Sequence, residues 1–262
     1  MSGGLAGKTC VVTGSSSGIG RAVVAAVLRE GGTAVVNSRS QERAEAAARE
    51  LDPAGDRTLA VGADVSDPTD VGALFDAAID RFGRVDVLVN NAGVPMNAPF
   101  LDFPLDAWRS TIETNLTGPF LCAQAAARIM QKQGGGVIVN VTSLAGSIGS
   151  PGRAAYSASK HGLEGLNKVL ALELAPLGIR TVAVAPGFTG TKMNDGSLSA
   201  EELAKINRER EALQQARNPL GRSASYEEMA EVIVFLASPA ASYVNGISVT
   251  VDGGYLANAG QG

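Results

Sequence analysis

With 262 residues and 45% hydrophobic side chains, the chain can fill one well-packed α/β domain or two small ones. A net charge of −4 and the lack of any lysine or arginine run argue against nucleic acid as the main partner. No apolar run approaches the length needed to span a bilayer, so no membrane partner is expected.

Strand and helix signals alternate along the chain. KTCVVTG (8–14) reads as an apolar strand ending in a glycine turn, and SSGIGRAVVAAVLREGG (16–32) as a helix stopped by Gly-Gly. TAVVNS (33–38) is the second strand, followed by a charged, Ala-rich helix (39–52) ended by Pro53. TLAVGADV (58–65), a helix capped by Asp67-Pro68 (67–83) and VDVLVNNAG (85–93) continue the alternation. A long helical stretch covers 104–133, and Pro119 inside it predicts a kink or break there. GVIVNVTS (136–143), a helix from about 154, IRTVAVAPG (179–187), a polar helix over 199–217, an amphipathic helix over 225–238 and GISVTVDGG (246–254) complete the chain. This order predicts one α/β domain over 1–262, a parallel sheet with helices on both faces. Aromatics are only 5%, and Ala, Val, Gly and Leu dominate, which suits close packing of sheet against helix.

Cys10 and Cys122 lie in apolar segments without metal-ligand spacing, so they read as buried free thiols of a reducing compartment, and no metal is expected. MSGGLAGK lacks a basic region followed by a long apolar core, so no signal peptide is expected and the cytoplasm is the expected location.

TGSSSGIG (13–20) follows the first strand and opens a helix. Gly14 can take the tight turn, Gly18 lets backbone approach a pyrophosphate, and Gly20 allows close packing, with the helix N-terminus facing the anion. The spacing is G-x-x-x-G-x-G rather than G-x-G-x-x-G, so alone it is a weak signal. The same stretch, Gly14 to Gly18, also matches the G-x-S-x-G elbow of a serine hydrolase, with Ser16 as nucleophile. That reading needs a histidine base, and the chain's one histidine, His161, sits beside Lys160 on a helix and faces another way.

Ser143 through Lys160 is the stretch richest in chemistry. Tyr156 and Lys160 are four residues apart on a helix, one turn apart on one face. A phenol is a poor acid–base catalyst at neutral pH, and a neighbouring ammonium would lower its pKa. Pro151 and Gly152 form a turn before the helix, so Tyr156 lies near its positive end, which pushes the same way. Ser143 follows the apolar strand and could donate a hydrogen bond to a substrate carbonyl. Tyr and Lys at this spacing are also a common accident, so the weight comes from the rest of the chain.

TGSSSGIG (13–20), Asp64-Val65, NNAG (90–93), Asn115, Ser143, YSASK (156–160) and PGFTGT (186–191) stand in the order of the short-chain dehydrogenase/reductase family, and the chain resembles that family over nearly its whole length. The resemblance, closest to 3-oxoacyl and carbonyl reductases, implies a Rossmann fold with strand order 3-2-1-4-5-6-7. It also implies reversible hydride transfer between a nicotinamide and an alcohol/carbonyl pair. Tyr156 would be the general acid–base, Lys160 would lower its pKa and hold the nicotinamide ribose, and Ser143 would orient the substrate oxygen. Asn115 would help hold a water leading to Lys160. Gly14, Ser16, Ser17, Gly18, Ile19 and Gly20 would cradle the pyrophosphate, while Asp64 and Val65 would meet the adenine. Asn91, Ala92 and Gly93 would line the adenosine side, and Pro186, Gly187, Phe188, Thr189 and Thr191 would border the nicotinamide.

Ser38 stands where the family carries an aspartate for the ribose 2′-hydroxyl, and Arg39 follows it. A guanidinium suits a 2′-phosphate, so NADP(H) is expected over NAD(H). Residues 188–220 would cover the substrate, with Met193, Leu198 and Leu203 as their few apolar points. Candidate substrates are a ketone or 3-oxoacyl thioester; the alternatives are an NAD-dependent sugar, polyol or steroid dehydrogenase. A catalytically silent dinucleotide-binding regulator is a further class. The resemblance also implies a homotetramer, pairing through the helix that carries Cys122 and the C-terminal VTVDGGYLANAGQG.

Overall fold

The computed structural model describes residues 4–190, 199, 201, 205, 208 and 218–258. Seven strands form one parallel sheet in the order β3-β2-β1-β4-β5-β6-β7. They are β1 (Thr9–Val12), β2 (Thr33–Ser38), β3 (Thr58–Gly62), β4 (Val87–Asn90), β5 (Gly136–Val141), β6 (Ile179–Pro186) and β7 (Ser248–Val251). The helices are α1 (Gly18–Arg29), α2 (Gln41–Leu51), α3 (Pro68–Phe82), α4 (Leu105–Ile112), α5 (Gly118–Gln133), α6 (Ala154–Leu174) and α7 (Tyr226–Ala237).

Alternation along the strands divides the core between the two faces of the sheet. Cys10, Val12, Ala34 and Val36 face α1, α2 and α7, while Val11, Val35, Leu88 and Ile138 face α3 and α5. Small residues let the helices come close: Ala44, Ala47 and Ala48 on α2, and Ala123, Ala126 and Ala127 on α5, are buried. The chain runs outward from β1 to β3 and returns to β4, on the other side of β1. Ligands of open α/β sheets bind in the crevice at such a reversal, beyond the carboxyl ends of the strands.

Local signals set the ends of the elements. The Asp67 side chain accepts from Thr69 N–H at 2.7 Å and Asp70 N–H at 3.2 Å, and Pro68 opens α3. Ser225 and Glu228 form a reciprocal capping box at the start of α7. The break expected at Pro119 lies just ahead of it. A π-turn, Glu113–Thr117, separates α4 from α5, and Pro119 stands in the first turn of α5. A proline has no N–H for the carbonyl of the residue four before it, here Asn115, and its ring crowds that carbonyl, so the irregularity falls on the preceding turn.

Cys10 and Cys122 are fully buried free thiols; burial pushes the Cys10 thiol well above its usual range and Cys122 up to about 12. Among the described residues no helix is long and apolar enough to cross a membrane. The polar helix expected over 199–217, isolated positions apart, lies outside the described residues, as do Thr191, Met193, Leu198 and Leu203.

Candidate functional site

The glycine loop leaves β1 at the strand-order reversal, and buried polar side chains tie it down. The Ser15 hydroxyl donates to the Val12 carbonyl at 2.7 Å and accepts from Asn37 N–H at 3.0 Å. Asn37, 1% exposed, accepts from Gly14 N–H at 3.1 Å. Its amide donates to the Val61 and Ala63 carbonyls at 3.3 and 3.1 Å, so one side chain joins the loop to β2 and the end of β3. From β4, the Asn91 amide donates to the Thr13 and Gly14 carbonyls at 2.9 and 3.1 Å. The Thr13 hydroxyl in turn accepts from Asn91 and Ala92 N–H, both at 3.0 Å.

The glycines follow from this closeness. Gly14 has φ +61°, and a Cβ there would lie 2.8 Å from the Ala92 Cα. A Cβ on Gly20 would lie 2.5 Å from the Asn91 amide nitrogen and 2.8 Å from the Ser15 Cα. Gly20 thus makes room for the loop's own ties more than for a strand.

Ser17 caps α1 with extended backbone and no side-chain hydrogen bond, and the first turn holds no acid. Its N–H groups therefore remain available to an anion, beside the partly buried Ser16, Gly18 and Ile19. That is the environment a dinucleotide pyrophosphate requires. At the end of β2, Ser38 is partly buried and its hydroxyl accepts from Ser40 N–H at 3.3 Å, while Arg39 is exposed. Asp64 accepts from the Ser66 N–H and hydroxyl at 2.9 and 2.7 Å. Val65 is buried, and a Cβ added at Gly118 would meet its side chain at 2.8 Å.

The second half of the site gathers at the ends of β4 and β5 and the start of α6. Ser143 follows β5 by two residues and caps a short turn, accepting from Ala145 N–H at 3.2 Å. Thr142 before it is buried and donates to the Val184 carbonyl at 3.0 Å. Tyr156 stands in the first turn of α6, partly buried. Lys160, 4% exposed, donates to the Val141 carbonyl at 2.8 Å, and its Nζ is 5.7 Å from the Tyr156 ring centroid. Asn115, 0% exposed, accepts from Val94 N–H at 2.8 Å and donates to the Val94 carbonyl at 3.1 Å. Its amide also donates to Ser159 Oγ at 3.3 Å, and the Ser159 hydroxyl donates to the Tyr156 carbonyl at 2.7 Å. A Cβ on Gly93 would be 3.4 Å from Asn115 Oδ1 and 3.8 Å from Lys160 Nζ, so that backbone lies against both.

The electrostatics differ from expectation. Burial raises the Tyr156 phenol above its ordinary value, against the opposing pull of hydrogen bonding from the Ser143 hydroxyl and of the Arg153 guanidinium. Lys160, expected to lower it, spends its ammonium on the Val141 carbonyl. Burial pushes Lys160 itself down to about 8, with Glu164 opposing. Taking a charge out of water outweighs a neighbour already committed elsewhere.

Beyond β6, Gly187 N–H donates to the Val251 carbonyl at 2.8 Å. Phe188 meets Tyr255 edge-to-face at 5.3 Å, Thr189 pairs with Ala224, and Pro186 closes β6. A groove of about 280 Å³ runs between α1 and α7 on the outer side of the glycine loop, past Ser16, Gly18, Arg21 and Tyr226, and includes none of Ser143, Tyr156 and Lys160. His161 is exposed, with Nδ1 against the Ser157 carbonyl at 2.9 Å, so it is no base for an elbow serine. Sequence reasoning missed Asn37, Thr13, Ser159 and Arg153. Asn37 carried a signal, as an amide inside an apolar strand; the others stand out only through their partners.

Residues 14–256 match a family model described as enoyl-(acyl carrier protein) reductase. The chain is 41% identical over 254 residues to a 3-oxoacyl-[acyl-carrier-protein] reductase of Synechocystis sp., covering 96% of this chain and 98% of that one. It is 45% identical over 258 residues to the cis-4-hydroxycyclohexanecarboxylate dehydrogenase of Sinomonas cyclohexanicum, covering 98% and 100%. A solved short-chain type dehydrogenase/reductase from Mycobacterium marinum superposes with a TM-score of 0.86 at 36% identity, covering 96% of each chain. Likeness of this length, together with the sheet order, goes beyond a shared nucleotide-binding fold. The chain belongs to the short-chain dehydrogenase/reductase family, oxidoreductases that act on CH–OH groups with NAD(P).

Proposed function

We propose that the chain is a single-domain, NADP(H)-dependent carbonyl reductase with Tyr156 as its general acid–base. The observation that carries this is the Tyr156 phenol within hydrogen-bonding reach of the Ser143 hydroxyl, with Lys160 Nζ 5.7 Å from its ring centroid. A protonated phenol is the form that can give a proton to an oxygen on which negative charge is developing. Ser143 orients the substrate oxygen by hydrogen bonding, which matters most as that charge grows. Lys160 supplies the fixed positive charge behind the phenol, anchored on the Val141 carbonyl. Asn115 holds the loop after β4 in place, and its carbonyl, which Pro119 cannot bond, is suited to hold a water leading to Lys160. The bound dinucleotide supplies or accepts the hydride.

The cradle for that dinucleotide comprises Gly14, Ser16, Ser17, Gly18, Ile19 and Gly20, with Asp64, Val65, Asn91, Ala92 and Gly93 on the adenosine side. Pro186, Gly187, Phe188 and Thr189 border the nicotinamide, as would Thr191. Preference for NADP(H) rests on Ser38 and the exposed Arg39 at the end of β2, where no carboxylate would repel a 2′-phosphate. The substrate is a ketone or 3-oxoacyl compound, since the relatives are named for a 3-oxoacyl thioester and for a cyclic hydroxy acid. Exposed apolar side chains on α5, α6 and α7, among them Phe120, Leu172 and Phe235, support a homotetramer. The assigned location is the cytoplasm.

Reduction of a carbonyl panel followed by NADPH absorbance tests the reading, with NADH run in parallel. Tyr156→Phe removes only the hydroxyl and should lower kcat by roughly 10²- to 10⁴-fold. Unchanged turnover would show that the proton comes from elsewhere, and a clear NADH preference would remove the Arg39 argument.

A further inference from the structure

Arg153 stands immediately before α6, one turn ahead of Tyr156, and its guanidinium carbon lies 5.6 Å from the Tyr156 ring centroid. Its Nε donates to Asn97 Oδ1 at 3.0 Å. Neither terminal nitrogen of Arg153 has a hydrogen-bond partner among the described residues, and no carboxylate pairs with it there. The other described arginines divide differently. Arg21, Arg29, Arg84 and Arg222 face carboxylates, and Arg180 serves three carbonyls. Arg39, Arg43 and Arg128, which lack such partners, are exposed. Arg153 alone among the described arginines is both partly buried and left with its terminal donors free.

The residue is also held in place. Ala98 N–H donates to the Gly152 carbonyl at 2.9 Å, and with the Arg153–Asn97 bond this laces the loop after β4 to the entry of α6. The nearest other cation, Lys160, is spent on the Val141 carbonyl. Glu164, one turn beyond Lys160, accepts from the Ser248 hydroxyl at 2.9 Å. Among the described residues, two cations lie 5.6 and 5.7 Å from the Tyr156 ring centroid, one of them with free donors, and no carboxylate bonds to either. A guanidinium with both terminal nitrogens free and no counter-charge suits a carboxylate, whose planar pair of oxygens can accept from both.

We propose that Arg153 reads an anionic group on the substrate: with the carbonyl at Tyr156, its guanidinium takes a carboxylate carried a few bonds away, so the preferred substrates are oxo acids and the corresponding hydroxy acids. This rests on the reductase reading above and names its substrate class. Asn97 is the positioning residue, since it fixes the Nε edge of a guanidinium whose carbon lies 5.6 Å from the Tyr156 ring centroid.

The experiment compares oxo acids of four to eight carbons, including a cyclic one, with their methyl esters, using NADPH and the full chain. The wild type should reduce at least one acid with a kcat/KM about tenfold or more above its ester, the worth of a charge-assisted hydrogen bond. In Arg153→Gln that ratio should fall to near one, and Arg153→Lys should keep part of it. The proposal is overturned if every ester matches its acid in the wild type, or if the preference survives in Arg153→Gln. It is overturned equally if Arg153→Gln raises the KM for NADPH and leaves the acid-to-ester ratio intact, since the guanidinium then serves the dinucleotide. A wild type that reduces no acid and no ester overturns the reductase reading itself, and the arginine assignment with it.

Discussion

The two halves of the site use polar side chains in opposite ways. Around the glycine loop, Thr13, Ser15, Asn37 and Asn91 spend their hydrogen bonds on backbone. They make a rigid cradle whose open donors are N–H groups of a helix end. Around Tyr156 the cost of burial is left on the ionisable groups: the phenol is pushed up and the ammonium down. Among the described residues Arg153 keeps free donors in the same place. On the proposed function, the first half would bind through geometry fixed at folding, and the second would keep unspent electrostatic free energy for a reacting substrate. Satisfied polar groups hold a shape, and strained ionisation states do chemistry.

The sharpest way to break this contrast is at Lys160. Lys160→Met removes the charge from the second half and should lower kcat/KM by roughly 10²- to 10³-fold. The same lysine should place an alkaline limb near pH 8 on the wild-type kcat/KM profile, as its charge is lost at about 8. The sign for stability is opposite to that of a favourable ion pair. Its folded pKa is depressed from 10.5, so between about 8 and 10.5 the unfolded chain holds more protons. The penalty of burying this charge is complete below pH 8 and fades as pH rises toward 10.5, which stabilises the fold. Denaturant titration at several pH values should show that rise in the wild type and its absence in Lys160→Met.

Gly14→Ala probes the first half. Its φ of +61° and the 2.8 Å approach to the Ala92 Cα should cost about 3 kcal/mol of stability and weaken dinucleotide binding. If the variant is as stable as the wild type, the cradle is not rigid and the contrast fails. Gly72→Ala serves as the matched control and has the smallest effect. Gly72 lies on the exposed side of α3 with nothing within 4 Å of an added Cβ. That substitution should raise stability by about 1 kcal/mol and leave turnover unchanged.

The positions of the seven strands were legible because short apolar runs alternated with helical patterns, and their order in the sheet came from the family resemblance. Ser143, Tyr156, Lys160 and Asn115 could be named in advance because their spacing is local or carried by the resemblance. Burial, which raises the Tyr156 phenol, could not be read from helix spacing, since spacing shows which groups are neighbours but not how far they are desolvated or already bonded. Asn37 was passed over because its three partners come from the glycine loop, the end of β3 and the residue after it. Pro119 announced an irregularity correctly, but the π-turn fell on the residues before it, where the missing hydrogen bond is felt.

The sequence by itself therefore determined the element order and the glycine loop, because each depends on patterns spanning a few turns of chain, and through the family resemblance it named the strand order and the candidate site residues. Only the tertiary structure decided how those residues are charged and which polar groups remain uncommitted. Desolvation and hydrogen-bond satisfaction depend on everything packed around a group, and around Tyr156 that includes Val141, Val94 and Asn97, each distant from it along the chain.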